Sequence, residues 1–327
     1  MTASTDSLLI GFAGDVMLGR NVNGQITNSD HRYPWGNVIP LLRSTDLNII
    51  NLECAITNHN KKAAKTFNFK MDPANIGVLT AAGIDAVSLA NNHVLDYGIP
   101  GLLDTMLMLK AAGISHAGAG QNAVEASQAV LLTRKNIRVV LLGFTDNEPG
   151  WRAGNNNPGT NYVVVGNIEP ITTAIRKIKS QCDLVIVSIH WGPNMREAPT
   201  QDFIDFAHAI IDNGADIIHG HSAHIFQGIE WYKGKLIMYD TGDFIDDYRV
   251  DPVYRNDRSF LFLCEAGRHV IHQLKLVPVV ISNMQVNMAS GNEYDWLLKR
   301  IREICQPFGT IISEHSREGI ICRPPAA

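Results

Sequence analysis

Five apolar runs in this chain each end on a residue that can bind a metal ion, and that repetition constrains the fold more than any other feature. "LLIGFA" (8–13) runs into Gly14-Asp15, "DLNII" (46–50) into Glu53, and "IDAVSLA" into Asn92-His93. "DLVIVSI" runs into His190, and "GADII" into the hexapeptide "HGHSAH" at 219–224. Three of these runs follow an amphipathic helical pattern. Ile76, Leu79 and Ala82 share one helical face before Gly83, as do Ile168, Ile171, Ile175 and Ile178, and Phe203, Ala207 and Ile210 or Ile211 before Gly214. Helix followed by continuous apolar strand predicts an α/β fold with buried parallel strands. In such sheets successive loops converge at the carboxyl edge, where ligands bind. The five polar endings are therefore expected to meet at one place.

The 327 residues, 45% hydrophobic and 18% charged, suffice for a large core. Net charge is −4 and the 28 Lys and Arg residues are scattered, which argues against nucleic acid as a major partner. The opening "MTASTDSLLIGFAGD" has neither the basic start nor the apolar core of a signal peptide. No run approaches the ~20 apolar residues of a transmembrane segment. The expectation is a soluble, cytoplasmic protein, with its oligomeric state, a homo-oligomer included, left open. Five cysteines without a CxxC pair read as reduced core thiols.

The later region is richer in strands. A "KG" turn at 233–234 and "EAGR" at 265–268 each separate alternating runs and predict hairpins. A last amphipathic helix, about 293–305, precedes a tail ending "RPPAA", expected to fray. The expected organisation is one domain over residues 1–283, with 284–327 as a helix and tail packed on it. The loop at 146–161, rich in Gly, Asn and Pro, reads as a surface connection or a substrate-facing segment.

Asp15, Glu53, Asn92, His93, His190, His221 and His224 form an oxygen and nitrogen donor set without thiolate. Such a set suits Mn, Fe or Zn ions. Even six of these seven exceed the needs of one tetrahedral ion. A bridging carboxylate lets two ions sit about 3.5–4 Å apart, where they convert a shared water to hydroxide near neutral pH. That is a hydrolase design.

"GDVMLGR" (14–20), "NLECAIT" (51–57), "LANNHVLDYGIPGLLDT" (89–105), "VSIHWG" (187–192) and "GHSAHIFQGIEWYKGKLIMYDTGDF" (220–244) together resemble the bacterial capsule synthesis CapA family. That family is linked to poly-γ-glutamate and looks like a branch of the calcineurin-like metallophosphoesterases. The resemblance implies a four-layer α/β/β/α sandwich over roughly residues 8–266. It also implies a metal-dependent hydrolase in which metal-bound hydroxide attacks a phosphoester or a γ-glutamyl-type amide, on a small-molecule or polyglutamate-like substrate. Carried over residue by residue, Asp15 and His224 hold a first ion, Glu53 bridges, and Asn92, His190 and His221 hold a second. His93 serves as acid, with Asp96 orienting it.

Three departures stand out. Met17 occupies the second position of the superfamily's D-x-H pair, so the first ion is one imidazole short and a one-metal enzyme is left open. The last histidines are spaced H-x-x-H, with Ala223 where that branch often has Pro. Asp240 and Asp243 stand where relatives tend to have Ser and Asn, adding negative charge that disfavours an anionic substrate. A non-catalytic, metal-containing accessory or binding protein for a polyglutamate-like polymer is the alternative reading, which Met17 favours.

Other residues carry competing readings. His219 is expected to brace the ligands by hydrogen bonding, with direct ligation as the alternative. His31, His59, His116, His208, His269, His272 and His315 are expected to be surface or core residues. Arg20 meets a substrate anion or pairs with an acid beneath the site. Trp191 walls the site or packs in the core, and "DTGDFIDDYRVD" (240–251) reads by default as a solvated loop.

Overall fold

The computed structural model describes residues 7–316 and 319–324, without the side chains of 315 and 316. Among these, strands form a ten-stranded and a six-stranded sheet, with two small two-stranded pairs. The larger sheet runs in the order Ile311–Ser316, Gly319–Arg323, Val270–Ser282, Arg258–Gly267, Leu8–Val16, Leu47–Leu52, Ala86–Ser88, Ser115–Ala117. The smaller runs Ile229–Tyr232, Lys235–Met238, Ile217–His221, Leu184–His190, Ile137–Thr145, Val130–Arg134.

Alternation along each strand sorts the core into three layers of packing. Leu8, Ile10 and Phe12 meet Leu141, Leu184, Ile186 and Ile217 between the sheets. On the outer face of the larger sheet, Ala13, Val16, Ile50 and Val87 pack under Val22, Leu42, Leu79 and Leu102. These last four come from helices Arg20–Thr27, Ile39–Ser44, Gly77–Ala82 and Gly98–Ala111. On the outer face of the smaller sheet, Val140, Val185, Val187 and Ile218 pack under Ile171, Ile175, Phe206 and Ile210. These belong to helices Glu169–Ile178 and Gln201–Asp212, so the order is α/β/β/α, as the resemblance implied.

The helical stops behave as expected: Gly83 caps its helix at φ +73°, and Gly214 turns the chain at φ +112°. The Lys233-Gly234 turn, both residues at positive φ, joins an antiparallel hairpin. The second hairpin turns later than expected. Glu265, Ala266 and Gly267 remain in the strand, with a register shift between Glu265 and Ala266, and Arg268-His269 make the turn. The C-terminal region also differs. Beyond the helix Asn292–Cys305, Ile311–Ser316 and Gly319–Arg323 form a hairpin whose second strand pairs with Val270–Ser282, and Ile320, Ile321 and Cys322 are buried. The last three residues of the expected fraying tail lie outside the described residues. The five cysteines are buried and unbridged. Among the described residues no helix is long and apolar enough to cross a membrane.

One side of the Leu8–Val16 strand is shared by two neighbours. Its residues 8–12 pair antiparallel with Arg258–Gly267, while Asp15 and Val16 pair in parallel with Asp243–Ile245. Gly14 makes this exchange feasible, because a Cβ there would lie 1.8 Å from the Gly242 carbonyl oxygen. Gly14→Ala is therefore expected to push the 243–245 strand away and to cost about 1–3 kcal/mol by overpacking. Urea unfolding monitored by circular dichroism checks this; unchanged stability would refute it.

Candidate metal centre

The inward faces of the strands change character at one edge. Leu184 and Ile186 are followed on the same face by Ser188 and His190, and Ile217 by His219 and His221. Register pairs His190 directly with His221. From the facing sheet, Asp15 arrives at the end of its strand, where the pairing with Leu47–Leu52 shifts register between Ala13 and Asp15. Irregularities of this kind re-aim side chains beside functional sites.

Two donor groups result. Asp15, His190 and His221 form one, and Asp15, Glu53, His224 and Asp243 form the other, the ligand atoms of each lying within 4.8 Å of one another. Asp15 Oδ1 lies 3.9 Å from His190 Nδ1 and 3.8 Å from His221 Nδ1, and those two nitrogens are 3.0 Å apart. Asp15 Oδ2 lies 3.4 Å from His224 Nδ1, which is 2.8 Å from Asp243 Oδ1. Asp15 is the residue common to both groups, whereas the resemblance gave bridging to Glu53.

Six polar atoms here lack protein partners. Asp15 Oδ2, both carboxylate oxygens of Glu53, Asn92 Oδ1, His190 Nε2 and Asp243 Oδ2 are buried with no hydrogen bond. Buried polar groups are ordinarily paired, and several orphans converging on one spot fit a cation. Burial pushes the Asp15 carboxyl up to about 7, with Asp243 adding to the shift and His224 opposing it. Burial, then the Asp15 charge, raises Glu53 well above the usual carboxylate range. Burial holds His190 and His221 well below theirs, leaving neutral imidazoles. Burial also opposes charge on His224, but Asp243, Glu53 and Asp15 together hold its pKa well above the ordinary value.

Several neighbours brace the donors. Asn51 Nδ2 donates to Asp15 Oδ1 at 2.7 Å, and Ser188 Oγ lies 2.9 Å from His221 Nε2. His219 has both ring nitrogens engaged, Nδ1 with Ser188 and Nε2 with the Ala13 carbonyl oxygen, and burial lowers its pKa to about 3. Those contacts fit a residue that braces the candidate ligands. His93 Nδ1 is 2.6 Å from Asp96 Oδ2, and its Nε2 faces Glu53 at 3.9 Å. Asp96 also accepts from the Phe69 amide and from Lys65.

Asn92 is half-buried, with its Oδ1 unpartnered and its backbone oxygen accepting from Lys65. Arg20 pairs with Asp247 at 3.0 Å and lies over the rings of Phe69 and Tyr248. The structure puts Trp191 in the outer core: it is buried, donates to the Tyr239 carbonyl oxygen and packs against Phe203. Met17 is also buried, its sulfur accepting from the Gly19 amide.

The acidic run at 240–251 corrects its default reading, because Asp240, Asp243 and Asp246 are buried. Asp240 accepts from the Ala223 and Gly242 amides, and Asp243 joins the donors. Sequence reasoning treated Asp243 as added charge and missed it as a candidate donor. The available signal was a repeated dipeptide: Gly14-Asp15 and Gly242-Asp243 pair in register, Asp15 opposite Asp243.

The sequence pattern of the bacterial capsule synthesis protein PGA_cap family matches residues 9–248. A probable polyglutamine synthesis accessory protein of Mycobacterium tuberculosis is 34% identical over 314 residues, covering 90% of this chain and 83% of that protein. The PGA biosynthesis protein CapA of Bacillus subtilis is 32% identical over 250 residues, covering 75% of this chain and 65% of its own length. Among solved structures, a 5'-nucleotidase precursor from Thermus thermophilus superposes with a TM-score of 0.52 at 11% identity, over 92% of this chain and 59% of that one. A hypothetical protein from the same organism gives 0.51 at 15% identity, over 83% and 98%. The likeness is one of fold alone.

If Asp243 is a ligand, Asp243→Asn should weaken Mn²⁺ binding by at least about tenfold, in the range seen when metal-site partners are removed. Isothermal titration of the metal-stripped protein checks it. Mn²⁺ should also raise the melting temperature of the wild type by several degrees through binding linkage. Affinity equal in the two proteins would remove Asp243 from the donor set.

Proposed function

From the premise that the chain belongs to the bacterial capsule synthesis protein PGA_cap family, we propose that it is a metal-dependent hydrolase. Its bond is a phosphoester or a γ-glutamyl-type amide. The observation that carries this reading is the pair of buried donor groups sharing Asp15, with six unpartnered polar atoms between their residues and Asn92.

His190 and His221 with Asp15 would hold one ion, Asn92 completing its set. Asp15, Glu53, His224 and Asp243 would hold a second, with Asp243 in place of the imidazole that Met17 lacks. Divalent ions bound there would acidify water and polarise the scissile group.

The remaining work falls to this chain's side chains. Asp96 fixes the His93 ring by taking Nδ1–H, which leaves Nε2 facing the cluster. As the imidazolium, with Nε2 protonated as well, His93 would hand the Nε2 proton to the departing oxygen or nitrogen, and burial, which lowers its pKa, favours giving that proton up. Phe69 stacks on the ring at a centroid distance of 4.0 Å and shields it from water. Ser188 and Asn51 hold His221 and Asp15 in place, so ligation costs little reorganisation. A second reading, a metal-containing accessory protein without turnover, is supported by the accessory role in the printed name of the Mycobacterium relative.

His93→Ala is expected to lower kcat by about 10²–10⁴-fold while leaving metal content unchanged. Turnover of an aryl phosphate and of a γ-glutamyl anilide with Mn²⁺, beside elemental analysis, checks both halves. Metal-loaded protein inert towards both substrates would favour the accessory reading. Activity indifferent to His93→Ala would remove His93 as the acid.

A further inference from the structure

Lys65 turns inward from the loop that joins Ala55–Ile56 to Lys70–Met71, two strands that pair in parallel and so fix both of its ends. Its side chain is only 19% exposed, whereas Lys61 and Lys62 lie at the surface. An ammonium drawn out of water needs acceptors. Lys65 donates to the Asn92 carbonyl oxygen and lies 3.2 Å from Asp96 Oδ1. Both acceptors bear on one neighbour. The Asn92 carbonyl belongs to the peptide bond that leads into His93, and Asp96 Oδ2 meets His93 Nδ1 at 2.6 Å. One ammonium therefore touches the backbone entry to His93 and the carboxylate that orients its ring.

Asp96 is buried, and its two oxygens are divided between partners: Oδ1 faces Lys65, while Oδ2 accepts from the Phe69 amide at 2.7 Å and meets His93. The last torsion of an aspartate is broad, so a carboxylate released at one oxygen is free to turn. The same aspartate also sets the lysine. Its carbonyl oxygen accepts from the Ala63 amide at 2.8 Å, and the Ala63 carbonyl oxygen accepts from the Lys65 amide at 2.8 Å. The smaller sheet reaches this ammonium as well. In the loop after Ile137–Thr145, Glu148 Oε1 lies 3.7 Å from Lys65 Nζ, and the Trp151 ring centroid 4.6 Å from it. That loop starts on His190, whose carbonyl oxygen accepts from the Asp146 amide at 3.2 Å. Glu148 holds a left-handed backbone at φ +50°, strained for a residue other than glycine and kept only where its surroundings fix it.

We propose that Lys65 is a positioning residue: it holds His93 through the Asn92 carbonyl and Asp96, and it hooks the 146–151 loop of the opposite sheet against that pair. It acts through these groups and not by touching the scissile bond. The effect on turnover rests on the hydrolase reading, whereas the effect on the His93 ring rests on the geometry alone.

The test uses the full chain loaded with Zn²⁺, which is diamagnetic, and carrying isotopically labelled histidine. Proton NMR of the wild type is expected to show the Nδ1 proton between His93 and Asp96 as a downfield resonance, assigned by its loss in His93→Gln. Lys65→Met should abolish that resonance, because Asp96 turns and the proton exchanges with water, and Lys65→Arg, which keeps the charge, should retain it. Glu148→Gln, which loosens only the hook, should keep the resonance but hasten its exchange. Should Lys65→Met not fold, Lys65→Gln, which keeps an N–H for the Asn92 carbonyl and no charge for Asp96, is read in its place. A resonance that survives loss of the Lys65 charge unchanged overturns the proposal, as does its absence from the wild type; exchange in Glu148→Gln equal to that of the wild type overturns the hook. Turnover is measured separately with Mn²⁺. There kcat of Lys65→Met should fall about 10–100-fold at unchanged KM, with partial rescue in Lys65→Arg. A rise in KM at unchanged kcat would make Lys65 a substrate contact and overturn the positioning role. A wild type inert towards both model substrates removes the hydrolase and leaves the resonance to decide for or against Lys65, whereas turnover lost in Lys65→Met with the resonance intact keeps the hydrolase and overturns the proposal.

Discussion

Three carboxylates, of Asp15, Glu53 and Asp243, are sealed from water at one sheet edge, and the organisation of the molecule turns on how they are neutralised. Burial disfavours a charged carboxylate strongly unless an opposite charge or donors compensate it. The protein itself supplies little compensation. Asn51 gives Asp15 one hydrogen bond and His224 contributes one positive charge, while both oxygens of Glu53 have no partner. Protons can fill the deficit, which is why burial drives Asp15 up to about 7, but the two neutral imidazoles of His190 and His221, side by side, gain nothing from protons. Divalent cations satisfy the acids and the imidazoles at once. The two sheets, each covered outside by helices, hold the two halves of the donor set rigidly enough for that to work.

The position of Asp243 follows from an exchange of strand partners. Had Arg258–Gly267 continued alongside Leu8–Val16 to its end, no third carboxylate would reach Asp15. Instead that partner pairs only with residues 8–12, and the short Asp243–Ile245 strand enters in parallel beside Asp15 and Val16. Met17, where the family resemblance leads one to expect an imidazole, is free to pack in the core beneath the outer helices. On the proposed reading, a donor absent from one strand would be replaced by a donor from its neighbour, with an oxygen in place of a nitrogen. Oxygen donors shift the preference of a site towards harder ions, so with Asp243 as a ligand Mn²⁺ would gain on Zn²⁺.

Much of this was legible in the chain. Apolar strands ending in ligand-type residues, and helices stopped by Gly83 and Gly214, carried the α/β class and the convergence of Asp15, Glu53, His190, His221 and His224, whereas the layer order came from the family resemblance. What escaped were features set by pairing rather than by local pattern. Whether Asp243 faces solvent or Asp15 depends on which strand sits beside residue 15, and no window around "YDTGDF" encodes that choice. The late turn at Arg268-His269 depends on a register shift at Glu265, and the C-terminal hairpin on pairing with Val270–Ser282. Trp191 follows a ligand in sequence, yet strand alternation turns it to the opposite face, into the core under Phe203 and Phe206.

Asp240 and Asp243, expected to add charge that disfavours an anionic substrate, are both buried. Their charge, and that of Asp246, is met in part by the groups they touch. Asp240 is spent on the Ala223 and Gly242 amides, Asp243 on His224, and Asp246 on the Tyr248 amide. Lys61 and Lys62 point the other way, exposed on a loop whose far end is anchored to Asp96. An approaching molecule responds first to charges exposed at the rim, because those it meets before contact are the ones that steer it. Acids inside and lysines outside are therefore compatible requirements, one for holding cations and one for attracting an anion to them.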